Sequence, residues 1–390
     1  MNQGKYVLSQ LMEFIPKHEF NRCVKKYKGN YRVRNLSCYN QFLAMSFGQL
    51  SFQESLRGIT LCLSSQGRRL YHLGFSSPIA KTTLASANEK RDWQIYRDFA
   101  QVLIQKAKNL YCHDNELKLE IENACYVLDS SVIELCLNIF KWARLKEVRA
   151  AVKLNLQLSL KGNLPTFFTI TTAKDHDVKF LDELEIESQA FYIMDRGYID
   201  FKRLFRFNQE QAFFVIRTKK AFCFKRLYSN KVDKSQGLRC DQVVKLTGAY
   251  AKKDYPEKLR RVKYYDEENN QYLVFLTNNF NISTMNVARL YKHRWQIELF
   301  FKWIKQHLRV KCFWGRSANA VKTQICIAIC AYLIVAIAKK ELKIERNMYE
   351  ILQILHVSLF LKIPLNKLFS DFDLEDFQAE TQKQACLFDF

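Results

Sequence analysis

Asp129 and Asp195 each close a short apolar run, residues 124–128 and 190–194, and Glu298 lies far downstream within residues 291–311. An aspartate after a strand is also a common turn former or helix cap, so neither carries much weight alone. Together, at the ends of strands where open α/β sheets place their sites, they make a set with the later glutamate. All-oxygen ligands suit Mg²⁺ or Mn²⁺ rather than zinc and leave positions open for water and phosphate. Two such ions activate a nucleophile and stabilise the leaving oxygen during in-line attack on a phosphodiester. Without metal, the carboxylates would repel one another and the phosphate.

The surroundings of Glu298 fit a polyanion. At about 100° per residue, Tyr291, Arg294, Glu298, Lys302 and Lys305 share one helical face. Leu290, Ile297, Phe301, Ile304 and Leu308 form an adjoining apolar stripe that docks on a core, and Asn286 is the expected cap. A plain solvated helix spreads alternating charges over its outer face. Here one carboxylate stands among cations and a phenol.

Composition supports an anionic partner. The chain has 390 residues and a formal net charge of +22, an excess that points first to nucleic acid and second to an anionic membrane. Its length suggests two or three domains. The 12 cysteines form no CxxC pair, and Cys112-His113-Asp114 lacks a second ligand pair, so buried reduced thiols are expected. The N-terminus shows no signal-peptide pattern, and the longest apolar run, residues 325–338, falls short of the roughly twenty that span a bilayer. A buried helix in a cytoplasmic protein with no membrane partner is expected. No Gly-rich phosphate loop or G-x-S-x-G elbow occurs, which disfavours a P-loop ATPase or serine hydrolase.

The elements that must position these residues follow in order. Residues 1–118 read as a basic helical domain suited to DNA, with a long helix expected over residues 84–110. Residues 119–216 alternate strands and helices in a mixed α/β layout, including a hairpin turned at Lys161-Gly162-Asn163. Residues 217–284 form a β-rich insertion with 15 Lys or Arg against four acids between Arg217 and Lys263. Phe222, Phe224, Tyr228 and Tyr250 lie among those cations, as bases stacked along a bound strand require. Residues 285–343 hold the glutamate helix and the apolar helix. Residues 344–390 form a helical segment with an acidic tail (Asp371, Asp373, Glu375, Asp376).

Tyr291-x2-Arg294-x3-Glu298-x6-Lys305, with YVLDSSVIEL around Asp129 and FYIMDRGYIDF around Asp195, resembles the type-four insertion-sequence family of bacterial DDE transposases. The segment TLASANEKRDW and the β insertion between the second aspartate and the glutamate fit the same family. The resemblance implies a ribonuclease-H-like mixed α/β sheet flanked by helices, with two Mg²⁺ (Mn²⁺ as substitute) on Asp129, Asp195 and Glu298. It implies cut-and-paste transposition by cleavage at terminal inverted repeats, a hairpin intermediate and strand transfer into target DNA. A homodimer would bridge the two double-stranded ends, on the bacterial nucleoid. Tyr291, Arg294 and Lys305 would hold phosphates; Lys302 shares their face but lies outside the signature. Hairpin-forming relatives can stack a flipped base on a Trp of the insertion. This chain has no Trp between Asp195 and Glu298 except Trp295, leaving it or Phe222, Phe224, Tyr228 or Tyr250 for that role. The alternatives are a regulatory DNA-binding relative without catalysis and a structure-specific metal nuclease.

Overall fold

The computed structural model describes residues 4–112, 114, 121–136, 140–146, 149–218, 223–307 and 313–370. Leu308, Phe222, His113 and the acidic tail therefore lie outside the described residues. The described strands are β1 (Cys125–Leu135), β2 (Arg144–Lys146), β3 (Arg149–Ser159), β4 (Leu164–Thr172), β5 (Phe191–Met194), β6 (Phe213–Arg217), β7 (Phe224–Asn230), β8 (Leu238–Leu246), β9 (Leu259–Asp266) and β10 (Gln271–Thr277).

Strands β4–β3–β1–β5–β6 lie side by side, antiparallel up to β1 and parallel from β1 to β6. That mixed order is a ribonuclease-H-like core, as expected. The β3–β4 hairpin turns at Gly162, whose φ of 69° and closeness to the Tyr111 ring leave no room for a side chain. The insertion is not a separate layer. Strand β10 pairs antiparallel with β6 (Phe275 opposite Arg217), and β9, β8 and β7 continue the same sheet outward. A turn at Glu268-Asn269-Asn270 joins β9 to β10.

One strand boundary differs from expectation. The apolar run ends at Leu128, yet β1 continues through Asp129 to Leu135. Its parallel partner β5 stops at Met194, opposite Leu128, while pairing with β3 persists to Leu135 opposite Ala150. Beyond Leu128 the strand has lost one neighbour, and the apolar run gives way to Asp129-Ser130-Ser131 while the backbone stays paired with β3.

Helices cover both faces of the sheet. N-terminal helices are α1 (Val7–Met12), α2 (Lys17–Lys26), α3 (Cys38–Leu50), α4 (Leu56–Ser64), α5 (Lys81–Lys90) and α6 (Gln94–Tyr111). On the sheet's other face, α7 (Phe180–Glu183) and α8 (Phe201–Gln209) pack over Tyr126, Leu128, Tyr192 and Met194. Helix α9 (Ala249–Asp254) belongs to the insertion, followed by α10 (Thr284–Lys292), α11 (Trp295–His307), α12 (Ala318–Glu341), α13 (Met348–Ser358) and α14 (Leu365–Phe369). The long helix expected over residues 84–110 is two helices. Asn319 of α12 takes the Asn88 and Arg91 carbonyls and accepts from the Trp93 amide, which stabilises the break between α5 and α6.

Helix α12 is the keel of the fold. It spans 24 residues, and an 18-residue stretch of it, with a mean hydropathy of 2.1, is long and apolar enough to cross a membrane, but 94% of that stretch is buried inside the fold. It packs against α3, α6 and β4, and Tyr111 donates to the Ala336 carbonyl at 2.8 Å. One apolar core thus joins Val7, Phe42 and Phe99 to Val127, Leu156, Ile329 and Leu352. The cysteines Cys23, Cys38, Cys125, Cys326 and Cys330 are buried thiols as expected, whereas Cys112, Cys136 and Cys223 are exposed.

Candidate active site

Sheet register brings the two aspartates together. Leu128 pairs with Met194 as the last pair of the parallel β1–β5 ladder, so Asp129 and Asp195 each stand one residue beyond it on neighbouring segments. Asp129 Oδ1 accepts from the Ser130 amide at 2.8 Å. Asp195 leaves its strand into a tight turn, Arg196–Tyr198, and its Oδ1 caps that turn by accepting from the Gly197 amide at 2.7 Å.

The glutamate arrives on a broken helix rather than the continuous one expected from residue 291. Helix α10 is capped by Ser283, whose hydroxyl accepts from the Asn286 amide, so Asn286 is not the cap. At the end of α10 the chain tightens: the Arg294 amide bonds to the Tyr291 carbonyl at 3.0 Å before α11 begins. This break turns Arg294 inward. Its Nη1 lies 3.3 Å from Asp129 Oδ2, its Nη2 donates to Glu298 Oε1, and its side chain is only 18% exposed.

The other residues of the expected basic face separate. Tyr291 is buried, with its ring 4.7 Å from that of Phe275 and the Arg294 guanidinium 5.8 Å from its centroid. Lys305 donates to the Val132 carbonyl at 3.0 Å, on the half of β1 that β5 leaves unpaired. Lys302 points to solvent.

Charge in the cluster is unbalanced. Burial first, then the negative charges of Asp195 and Glu298, push the Asp129 carboxyl up to about 6, against the opposing pull of the Ser130 amide and Arg294. Among the described residues no three Asp, Glu, His or Cys side chains stand close enough to hold a metal in this arrangement, and Arg294 spans the gap between Asp129 and Glu298. A carboxylate that still resists ionisation beside a guanidinium calls for more positive charge. The donor set is all oxygen, so a hard divalent cation fits.

A pH dependence follows. Because the folded protein holds the Asp129 proton up to about 6, against 3.8 ordinarily, that site adds stability at low pH and the contribution is lost as pH rises through 6. Asp129→Asn is therefore expected to raise the stability of the metal-free protein by about 1–3 kcal/mol at pH 7 and by little near pH 4. Denaturant unfolding at both pH values measures it; an equal effect at both would exclude this origin.

Beside the cluster runs a groove of about 1160 Å³ between the β9–β10 hairpin and the α10–α11 junction. Arg217, Arg289, Lys292 and Arg294 line it with Asp266, Glu267 and Glu268, of which Glu268 pairs with Lys292 at 2.7 Å, and with Trp295, which is 57% exposed. Among the described aromatics considered for base stacking, only Trp295 reaches this groove. Tyr228 and Tyr250 are exposed elsewhere on the insertion, and Phe224 lies under the Arg261 guanidinium at 5.2 Å. Arg217 and Arg289 escaped the sequence reading because neither shares the helical face of Glu298; the basic excess of the insertion was the only signal for Arg217, and Arg289, on α10, had none.

The chain is similar to known transposases. Residues 122–334 match the model of the transposase DDE domain, and residues 3–76 match a domain of unknown function, DUF4372. The y4zB protein of Sinorhizobium fredii, named as a transposase, is 30% identical over 263 residues, covering 66% of this chain and 71% of its own. A protein of Geobacillus stearothermophilus named as the transposase of insertion sequence element IS5377 is 30% identical over 223 residues, covering 57% of this chain and 58% of its own. Among solved structures, the piggyBac transposase synaptic complex with hairpin DNA aligns with a TM-score of 0.45 at 11% identity, over 97% of this chain and 85% of its own. DDE transposases act on DNA and depend on divalent metal. By the span of that match and by its insertion-sequence relatives, the chain belongs to the DDE transposase family, of the type-four insertion-sequence kind.

Proposed function

We propose that this transposase moves its element by cut-and-paste, with Asp129, Asp195 and Glu298 as ligands of two Mg²⁺ ions, Mn²⁺ serving in their place. The observation that carries this reading is the shared register of Asp129 and Asp195 at one sheet edge, with Glu298 tied to Asp129 through Arg294. When bound, the ions supply an activated oxygen nucleophile and charge stabilisation for the leaving oxygen. The protein's own groups do the rest. Arg294 exchanges its carboxylate partners for a DNA phosphate, and Tyr291 and Lys305 brace the same strand. Lys302, exposed one turn beyond Glu298, meets the backbone further along.

Hydrolysis of one strand frees a 3′-hydroxyl at the element's end, which attacks the phosphodiester of the opposite strand and displaces the 3′-oxygen of the flanking DNA to give a hairpin end. Trp295, exposed in the groove beside Arg294, is the stacking surface for a base displaced there. Helical residues 1–118 and the basic insertion, residues 217–284, contact the terminal inverted repeats, and two copies of the chain hold the two ends. A DNA substrate places the protein at the nucleoid.

A plasmid bearing the gene between its own ends tests the reading. Excision with rejoining supports transposition, cutting without joining supports a nuclease, and binding without cutting supports a regulatory relative. Salt dependence checks the phosphate contacts. Arg294→Ala and Lys302→Ala are each expected to flatten the slope of log K against log salt by about one unit. An unchanged slope removes that residue from the DNA path.

A further inference from the structure

Behind the catalytic edge lies a buried polar group that the proposed chemistry does not use. Lys153 of β3 is buried, and its ammonium donates to Asp177 Oδ1 at 2.8 Å and to the Asp175 carbonyl at 2.5 Å. The same Asp177 oxygen accepts from the Ser130 hydroxyl at 2.7 Å. Ser130 follows Asp129 directly, and its amide is the donor to Asp129 Oδ1. Side chains alternate along a strand, so Ser130 points to the face opposite Asp129.

Asp177 also sits between both aspartate-bearing segments. The helical turn Asp177–Lys179 packs against the turn Arg196–Tyr198 that follows Asp195. Tyr198 is buried there, its hydroxyl beside Ser130. Here β1 has just lost β5 as a neighbour, so sheet hydrogen bonds no longer fix its distance from Asp195.

We propose that Lys153, Asp177 and Ser130 are positioning residues that fix Asp129 against Asp195 where the sheet stops doing so. The inference rests on Asp129 being a metal ligand. A buried ion pair is an expensive way to gain stability, since an apolar pair of similar size commonly does as well. Its value here is directional: the bonded oxygen sets the height of Ser130, and through it the carboxylate of Asp129.

The test uses the full-length protein, a supercoiled plasmid carrying the gene's own flanking ends, and Mn²⁺ as metal probe. Ser130→Ala and the charge-free pair Lys153→Met with Asp177→Leu are expected to bind the ends normally and melt close to the parent. Both should cleave about 10–100-fold more slowly and bind Mn²⁺ more weakly by a similar factor, read by electron paramagnetic resonance without DNA. Ser130→Thr, which keeps the hydroxyl, restores both. Normal cleavage and Mn²⁺ affinity in Ser130→Ala overturn the inference, and that variant decides alone if the double one does not fold. The underlying assignment has its own control. If Asp129→Asn still cleaves, the proposed active site fails; if it is inactive while the Ser130 and Lys153/Asp177 variants match the parent, only the positioning role fails.

Discussion

Alanine in place of Asp129, Asp195 or Glu298 is expected to lower DNA cleavage by about 10³-fold or more while leaving end binding intact. The two effects separate because the carboxylates add no attraction for phosphate; they repel it. Removing one leaves Arg294 less neutralised, so binding should hold or tighten in the absence of divalent metal. Gel shift and plasmid nicking measured on the same preparation give both numbers. Cleavage that survives all three replacements would place the chemistry elsewhere. Losses should also be far from additive, since one missing ligand disables the unit.

The next largest effect concerns stability. Arg260 of β9 and Asp241 of β8 form a two-pronged buried pair, at 3.0 and 2.8 Å, with exposures of 5% and 2%. The guanidinium also reaches the Ile282 carbonyl at 2.6 Å and the Thr284 hydroxyl at 3.1 Å, and that hydroxyl donates back to Asp241. This knot ties the insertion to the first turn of α10. Arg260→Ala strands a buried carboxylate and is expected to cost about 3–5 kcal/mol in denaturant unfolding. Arg260→Met with Asp241→Leu should recover most of that stability. A loss below 1 kcal/mol for the single change would mean that water reaches Asp241.

Much of the site was legible because its signals are local. Apolar runs ending in Asp129 and Asp195 mark strands whose neighbours stop there, and the spacing from Tyr291 to Lys305 marks a helix. The run at 190–194 and the hairpin turn at 161–163 fall where the structure has them for the same reason, whereas β1 runs on past its apolar residues to Leu135. What sequence could not carry was long-range. The break between α10 and α11 has no proline or glycine to announce it, and it changes which way Arg294 points. The break between α5 and α6 depends on Asn319, more than 200 residues later. Nothing in residues 217–284 tells that β10 pairs with β6, and Lys153 reads as an ordinary outward residue of an alternating strand.

The burial of α12 has a consequence for how the protein is made. During synthesis α3 and α6 emerge with their apolar faces bare, because the helix that covers them begins at Ala318, some 200 residues after Tyr111. At about 5–20 residues per second that interval is roughly 10–40 s, spent with an unfinished core. The helix itself then leaves the ribosome with the hydropathy of a membrane segment and must find its groove before anything else binds it. A chain cut short before α12 would be a sticky fragment rather than a free-standing DNA-binding piece. Chaperone demand and the yield of truncated products should both track that one helix.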